Sequence, residues 1–195
     1  MDPATKILIL TGSSASGKTS VAQALVAHLP LTQVITTTTR PFRRGERNRR
    51  DYYFVSLEEF KKKLQKKALF EWTEFAGEFY GSTYEEIERI LAQGKTPLFV
   101  IDPQGAFRIK KLWPQKTRVI FLVVGKGELE RRLKERGDLE PAEIKRRLSY
   151  FAREQKLSQK ADFRLRNARH QLKRTISRAY ALVRSLLTQP KSGSC

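Results

Sequence analysis

The chain alternates between short apolar runs and longer amphipathic stretches. Lys6-Ile7-Leu8-Ile9-Leu10 is an apolar run that ends at Gly12, the pattern of a strand buried on both faces in a parallel sheet. A helix is expected from Lys18 to His28, closed by Leu29-Pro30. Val34-Ile35-Thr36-Thr37-Thr38-Thr39 is rich in β-branched residues and reads as a strand; Asp51-Tyr52-Tyr53-Phe54-Val55 reads as another. Ser56-Leu57-Glu58-Glu59 has capping-box spacing and opens a helix through Lys66. Thr83-Tyr84-Glu85-Glu86 repeats that signature, and Gly94 follows the helix it opens. Leu98-Phe99-Val100-Ile101 and Val119-Ile120-Phe121-Leu122-Val123-Val124 are two more buried-type strands. Helices are expected over 128–136 and 142–157, and a short strand at Phe163-Arg164-Leu165-Arg166. Leu172, Ile176, Ala179, Tyr180, Val183 and Leu187 then recur at helical spacing along a final amphipathic helix.

Strands alternating with helices predict an α/β fold with a parallel sheet flanked by helices. The β-rich, aromatic and charged stretch from about Thr36 to Gly94 interrupts that alternation and reads as an inserted lobe.

Composition narrows the class. The 195 residues suit one domain with a core of its own. Cys195 is the single cysteine, so no disulfide joins two parts of the chain. Two histidines, His28 and His170, argue against a histidine-centred metal site. No apolar run approaches the roughly 20 residues of a membrane helix, and the N-terminus leads into too few apolar residues for a signal peptide. A cytoplasmic protein, monomer or dimer and without membrane contact, is expected.

Charge changes the picture further. The net charge is +19, which favours polyanionic partners. From Arg40 to Lys67 there are eleven basic and four acidic residues; from Arg153 to Cys195, eleven and two. The C-terminal excess has two readings, a solvated helix face or a nucleic-acid contact through the basic tail. Residues 189–195 look frayed.

Gly12-Ser13-Ser14-Ala15-Ser16-Gly17-Lys18-Thr19 matches G-x-x-x-x-G-K-[ST] between an expected strand and an expected helix, the context of a phosphate-binding loop. Backbone N–H groups of such a loop wrap a β-phosphate, and the helix start adds positive partial charge. Lys18 supplies a cation for the β- and γ-phosphates, and Thr19 a hydroxyl for Mg²⁺.

Further motifs follow in order: Thr38-Thr39-Arg40-Pro41-x-Arg43-x-Gly45-Glu46, Asp51-Tyr52-x-Phe54-Val55-Ser56, Glu71-Trp72 and Tyr80-Gly81-Ser82-Thr83. Ile101-Asp102-x-Gln104-Gly105, Arg132-Leu133-x-x-Arg136-Gly137 and Ile144-x-x-Arg147-Leu148 continue the series. From about Lys6 to Leu148 the chain resembles the guanylate kinase family. The resemblance implies a P-loop nucleoside monophosphate kinase fold: a core over 1–35, 94–133 and 154–188, a GMP-binding lobe over 36–93, and a mobile lid over 134–153. It implies transfer of the γ-phosphoryl of ATP to GMP, and to dGMP, with Mg²⁺.

The resemblance also implies roles. Ser14, Ala15, Ser16, Gly17, Lys18, Thr19, Ser20 and Asn167 bind ATP. Thr36, Glu71, Ser82 and Asp102 read guanine; a carboxylate suits the adjacent N1–H and N2 donors of that base. Arg40, Arg43, Tyr52 and Tyr80 hold the GMP phosphate. Lys18, Arg40, Arg132, Arg136 and Arg147 screen the transferring group. Thr19 and Asp102 are the metal candidates, and Asp102 serves base, metal or both. The sequence departs from the family pattern at Ala15, usually Gly; at Thr36, more often Ser; at Val100, usually acidic; and at Ala168, where an acid usually follows the Asn. A same-fold kinase with another phosphorylated acceptor, and a binding module without catalysis, are the alternatives. The first lacks a reason for Glu71 and Ser82, the second for an intact Gly17-Lys18-Thr19.

Overall fold

The computed structural model describes residues 7–43, 45–75, 77–135, 137 and 139–188, with Phe75 placed by its backbone alone. The expected frayed end, 189–195, and Arg136 lie outside them. The chain divides into two compact units: one takes the described residues up to Leu31 and from Leu98 onward, the other Thr32–Pro97.

The first unit is organised by β1 (Ile7–Gly12), buried along its whole length. In the five-stranded sheet, β2 (Leu31–Gln33), β7 (Thr96–Val100), β1, β8 (Thr117–Val123) and β9 (Phe163–Arg166) lie in that order. β1 pairs in parallel with β7, aligning Leu8 with Leu98, and with β8, aligning Ile9 with Val119. β8 pairs in parallel with β9. Leu8, Leu10, Ile120, Leu122 and Leu165 form one face of the core and pack on α1 (Lys18–His28) through Val21, Ala22 and Leu25. Ala179, Val183 and Leu186 of α8 (Leu172–Thr188) complete this layer. Ile7 and Ile9, pointing the other way, are equally buried, which is why the strand is apolar at every position.

The expected stripe of α8 holds at Ile176, Ala179, Tyr180, Val183 and Leu187, which all belong to or pack on this core, and fails at Leu172. Thr175, Ala179, Val183 and Leu186 face inward, while Leu172 is exposed. The buried Thr175 hydroxyl lies within hydrogen-bond distance of the carbonyls of Arg166 and Gln171 and of Asn167 Oδ1, which share its single proton. The helix expected over 142–157 is two, α6 (Pro141–Ser149) and α7 (Phe151–Ser158), separated at Tyr150. α5 (Lys126–Glu135) buries Leu129 and Leu133 with Val124, and Ile144, Leu148 and Phe151 pack on that cluster.

In the second unit, β4 (Tyr53–Phe54), β3 (Thr37–Thr38), β6 (Glu78–Thr83) and β5 (Leu69–Phe75) form a four-stranded sheet in that order. β5 and β6 are an antiparallel hairpin. Of the strand expected over 34–39, only the two residues of β3 are paired, Thr37 with Tyr53 and Gly81. α2 (Leu57–Gln65) starts at Ser56 with both halves of the capping box formed. α3 (Tyr84–Ala92) keeps half of it: Thr83 accepts from the Glu86 backbone. The Glu86 carboxylate instead accepts from the Ile35 N–H, the Tyr53 hydroxyl and Arg89.

Leu122 is fully buried in the main core. Leu122→Ala is expected to lower the unfolding free energy by about 2–5 kcal/mol in urea denaturation; a loss below about 1 kcal/mol contradicts this packing.

Candidate active site

The phosphate loop leaves the sheet where central β1 ends. Three of its residues, Gly12, Ala15 and Gly17, take positive φ. Gly12 has φ +145° and a Cβ there would stand 2.5 Å from the Leu122 carbonyl oxygen. Gly17 has φ +96°, and its Cβ would meet Asn167 Nδ2 at 2.5 Å. Ala15 occupies the left-handed region at φ 60°, a strain of about 1–2 kcal/mol for an L-residue. Its methyl packs beside the Val124–Leu129–Leu133 cluster, a contact glycine lacks. The start of α1 has no side-chain cap and no acidic residue in its first turn, unlike α2, α3 and α4 (Pro103–Leu112), which are capped by Ser56, Thr83 and Asp102. α6 and α7 likewise lack a side-chain cap; at α1 the open first turn coincides with the glycine-shaped loop, an arrangement that suits an anion. Ser16 Oγ is buried and has no hydrogen-bond partner among the described residues.

The loop is held from behind. Asn167, 1% exposed, donates from Nδ2 to the Ser16 carbonyl at 2.8 Å and accepts from Thr175. Lys18 Nζ donates to the carbonyls of Gly12 (2.7 Å) and Ser13 (2.9 Å). Arg132 reaches the carbonyls of Ala15 (3.3 Å) and Asn167 (3.0 Å), its Nε fixed by Glu128 at 2.7 Å. Arg147 Nη1 donates to Ser14 Oγ at 2.7 Å, and Glu143 takes its Nε at the same distance. Two of the expected arginines thus converge on the loop; the third, Arg136, lies outside the described residues. Thr19 and Ser20 are exposed on the first turn of α1.

Asp102 caps α4, accepting from the backbone of Gln104 (2.8 Å) and Gly105 (3.1 Å) through Oδ1. Thr11 fixes the preceding carbonyl, donating to Ile101 at 2.9 Å. An acid directly before a proline was the sequence signal for this helix start. Burial pulls the Lys18 ammonium down to about 8, while the carboxylates of Glu154 and Asp102 hold it up. Glu154, on α7, carries no role in the sequence reading. Burial pushes its carboxyl up, against the opposing influence of the Ser13 hydroxyl and the charge of Lys18.

The second unit holds the other set. Ser82, fully buried, donates to Glu71 Oε1 at 3.1 Å, and Glu71 is 8% exposed. β5 and β6 place them opposite each other in register. Arg40 donates to the Pro41 carbonyl (2.6 Å) and to Glu46 (2.8 Å) and lies over the ring of Tyr52 at 5.2 Å. Burial pushes the Tyr52 phenol up, and Tyr80 stands edge-on to it with ring centroids 6.4 Å apart. Arg43 is exposed, its backbone N–H bound to Glu46. Thr36 is half-buried and its carbonyl accepts from Tyr53 N–H.

A family model described as guanylate kinase matches residues 4–183. The chain belongs to the guanylate kinase family. A guanylate kinase of Prochlorococcus marinus (strain MIT 9312) is 35% identical over 181 residues, 92% of this chain and 97% of that protein. One from Thermosynechococcus vestitus is 39% identical over 145 residues, 74% of this chain and 76% of its own length. The crystal structure of guanylate kinase from Anaplasma phagocytophilum superposes with a TM-score of 0.76 at 28% identity, covering 95% of this chain and 87% of that one. The fold is the P-loop nucleoside monophosphate kinase fold.

The donor chemistry at the loop suits magnesium. The Thr19 hydroxyl and the Asp102 carboxylate are hard oxygen ligands.

Glu128 is held down from the ordinary 4.5 to about 2, first by the hydrogen bond from Arg131 and then by that from Arg132. Its folded value is the lower one, so its stabilisation is full above the ordinary value and is lost as pH falls from 4.5 toward about 2. The melting-temperature advantage of wild type over Glu128→Gln is expected at about pH 6 and should vanish across that window. An advantage that persists to the acid end contradicts these bonds.

Proposed function

We propose that this chain catalyses Mg²⁺-dependent transfer of the γ-phosphoryl of ATP to GMP, giving ADP and GDP, in the cytoplasm. One observation carries the reading: the same chain has an uncapped, glycine-shaped phosphate loop and a buried carboxylate, Glu71, braced by a buried hydroxyl, Ser82. The first is chemistry for a polyphosphate; the second is chemistry for a base edge with two adjacent donors.

ATP is bound by the backbone of Ser14, Ala15, Ser16 and Gly17 and by the start of α1 at Lys18, Thr19 and Ser20. Asn167 acts on ATP through the loop it supports. Thr36, Glu71, Ser82 and Asp102 recognise guanine. Arg40, Arg43, Tyr52 and Tyr80 hold its phosphate, Arg40 being preset by Glu46 and the Tyr52 ring. No residue in this assignment is given to the ribose 2′-hydroxyl, so dGMP is accepted as well.

The acceptor oxygen is already anionic, so the reaction needs no strong base. Its barrier is the repulsion between two anions that must meet in line. Lys18 stays with the β- and γ-phosphates while Arg132, Arg136 and Arg147 spread cationic charge around the transferring group. Mg²⁺, when bound, screens the phosphate oxygens; Thr19 and Asp102 would hold it. Segment 134–153, carrying Arg136 and Arg147, acts as the lid that keeps water from the γ-phosphate.

Glu71→Gln keeps the shape of the side chain and loses its charge. A hydrogen bond to a charged group contributes about 1.5–3 kcal/mol, so kcat/KM for GMP should fall about 10- to 100-fold. The KM for ATP should stay unchanged. Unaltered GMP kinetics in steady-state assays would overturn the assignment of Glu71.

A further inference from the structure

A carboxylate taken out of water is costly unless its oxygens are bonded. Glu86, on α3, is 2% exposed, and none of the roles above uses it. An acid three residues after a capping threonine commonly reaches back to that residue's own N–H. Glu86 turns to the rest of the second unit instead. Its Oε1 accepts from the Ile35 N–H at 3.1 Å and from Arg89 Nη2 at 2.9 Å. Its Oε2 accepts from the Tyr53 hydroxyl at 3.0 Å and from Arg89 Nε at 2.8 Å. Both oxygens are filled, and the planar fork of Arg89 balances the charge.

The partners come from three parts of that unit. Arg89 is on the same helix, Tyr53 opens β4, and Ile35 lies outside any strand, directly before Thr36. The Thr36 carbonyl accepts from the Tyr53 N–H at 2.9 Å. Tyr53 therefore grips this segment twice. Its backbone holds Thr36, and its hydroxyl holds the carboxylate that holds Ile35. The sheet ladder takes over only at Thr37, which pairs with Tyr53 and Gly81. The backbone is thus fixed before Thr36 by Glu86 and after it by Tyr53. For stability alone, an apolar side chain often serves as well as a buried ion pair. What the carboxylate adds is direction, because it sets where one N–H of a strandless segment must lie.

Resting on the reading of Thr36 as a guanine contact, we propose that Glu86 is a positioning residue for that contact. Together with Tyr53 it holds the Thr36 segment in its binding geometry before GMP arrives, so that no ordering cost falls on the binding step. Arg89 keeps the carboxylate charged and aimed.

The test is steady-state kinetics of the full chain for wild type, Glu86→Gln, Tyr53→Phe and Thr36→Ala, and for each of the first two variants combined with Thr36→Ala. Glu86→Gln keeps the shape and loses the charge; Arg89, 41% exposed, can turn to water. Tyr53→Phe removes one bond to the carboxylate and leaves the backbone bond to Thr36. Glu86→Gln should raise the KM for GMP about tenfold and Tyr53→Phe about threefold, with kcat and the KM for ATP unchanged. In the Thr36→Ala background neither should raise it further, because both act through Thr36. A merely structural Glu86 predicts the same rise in both backgrounds, or a joint loss in kcat and ATP affinity. Either result overturns the proposal, as does an unchanged KM for GMP in both single variants. Thr36→Ala with the wild-type KM for GMP overturns the reading of Thr36 itself, and this proposal with it.

Discussion

The glycine-rich loop after β1 depends on a short stretch of backbone whose carbonyls are engaged by side chains, with one bond of its own, from the Ser16 N–H to the Ser13 carbonyl. Left alone, such a segment would close on itself or take up a side-chain cap. Here it is held open from its carbonyl side. Asn167 takes the Ser16 carbonyl, Lys18 those of Gly12 and Ser13, and Arg132 that of Ala15. With those carbonyls engaged by side chains, the loop keeps its shape without a ligand. The two glycines are required where a Cβ would strike the Leu122 carbonyl or the Asn167 amide. Burial of β1 on both faces gives this loop a rigid base.

That constraint explains the distribution of acid in the first unit. A strongly basic chain would bind anions indiscriminately, yet the arginines near the loop are each tethered. Glu128 fixes Arg131 and Arg132, and Glu143 fixes Arg146 and Arg147. These short i,i+3 and i,i+4 pairs contribute little to stability by themselves. Their effect is geometric: a guanidinium bound at Nε presents its remaining N–H groups in a fixed direction. The basic face of α8 has no comparable arrangement, since that helix carries no acidic residue at all.

Much of this was legible in the sequence, for physical reasons that differ by element. β1 and α1 were readable because a strand buried on both faces has an unmistakable run and the loop motif marks their junction. α2 was readable because Ser56 and Glu59 are free to satisfy each other. The β5–β6 hairpin was not, because its burial runs against hydropathy: Glu71 is buried while Trp72 beside it is 46% exposed. α4 escaped notice because Asp102 drew attention as a ligand, although an acid before a proline is also a helix start. Glu154 was invisible for a similar reason. On a helical wheel it is one more charge; its half-buried place on α7 shows only in the fold.

The most direct measurement is the rate of ADP formation from ATP and Mg²⁺ with GMP, dGMP, AMP, CMP, UMP and a phosphosugar as acceptors. Turnover with GMP and dGMP, and rates at the acceptor-free background for the others, is the expected outcome under the proposal that Glu71 and Ser82 read the guanine edge. Turnover with AMP or a pyrimidine nucleotide equal to that with GMP, or no turnover with any acceptor, would contradict it.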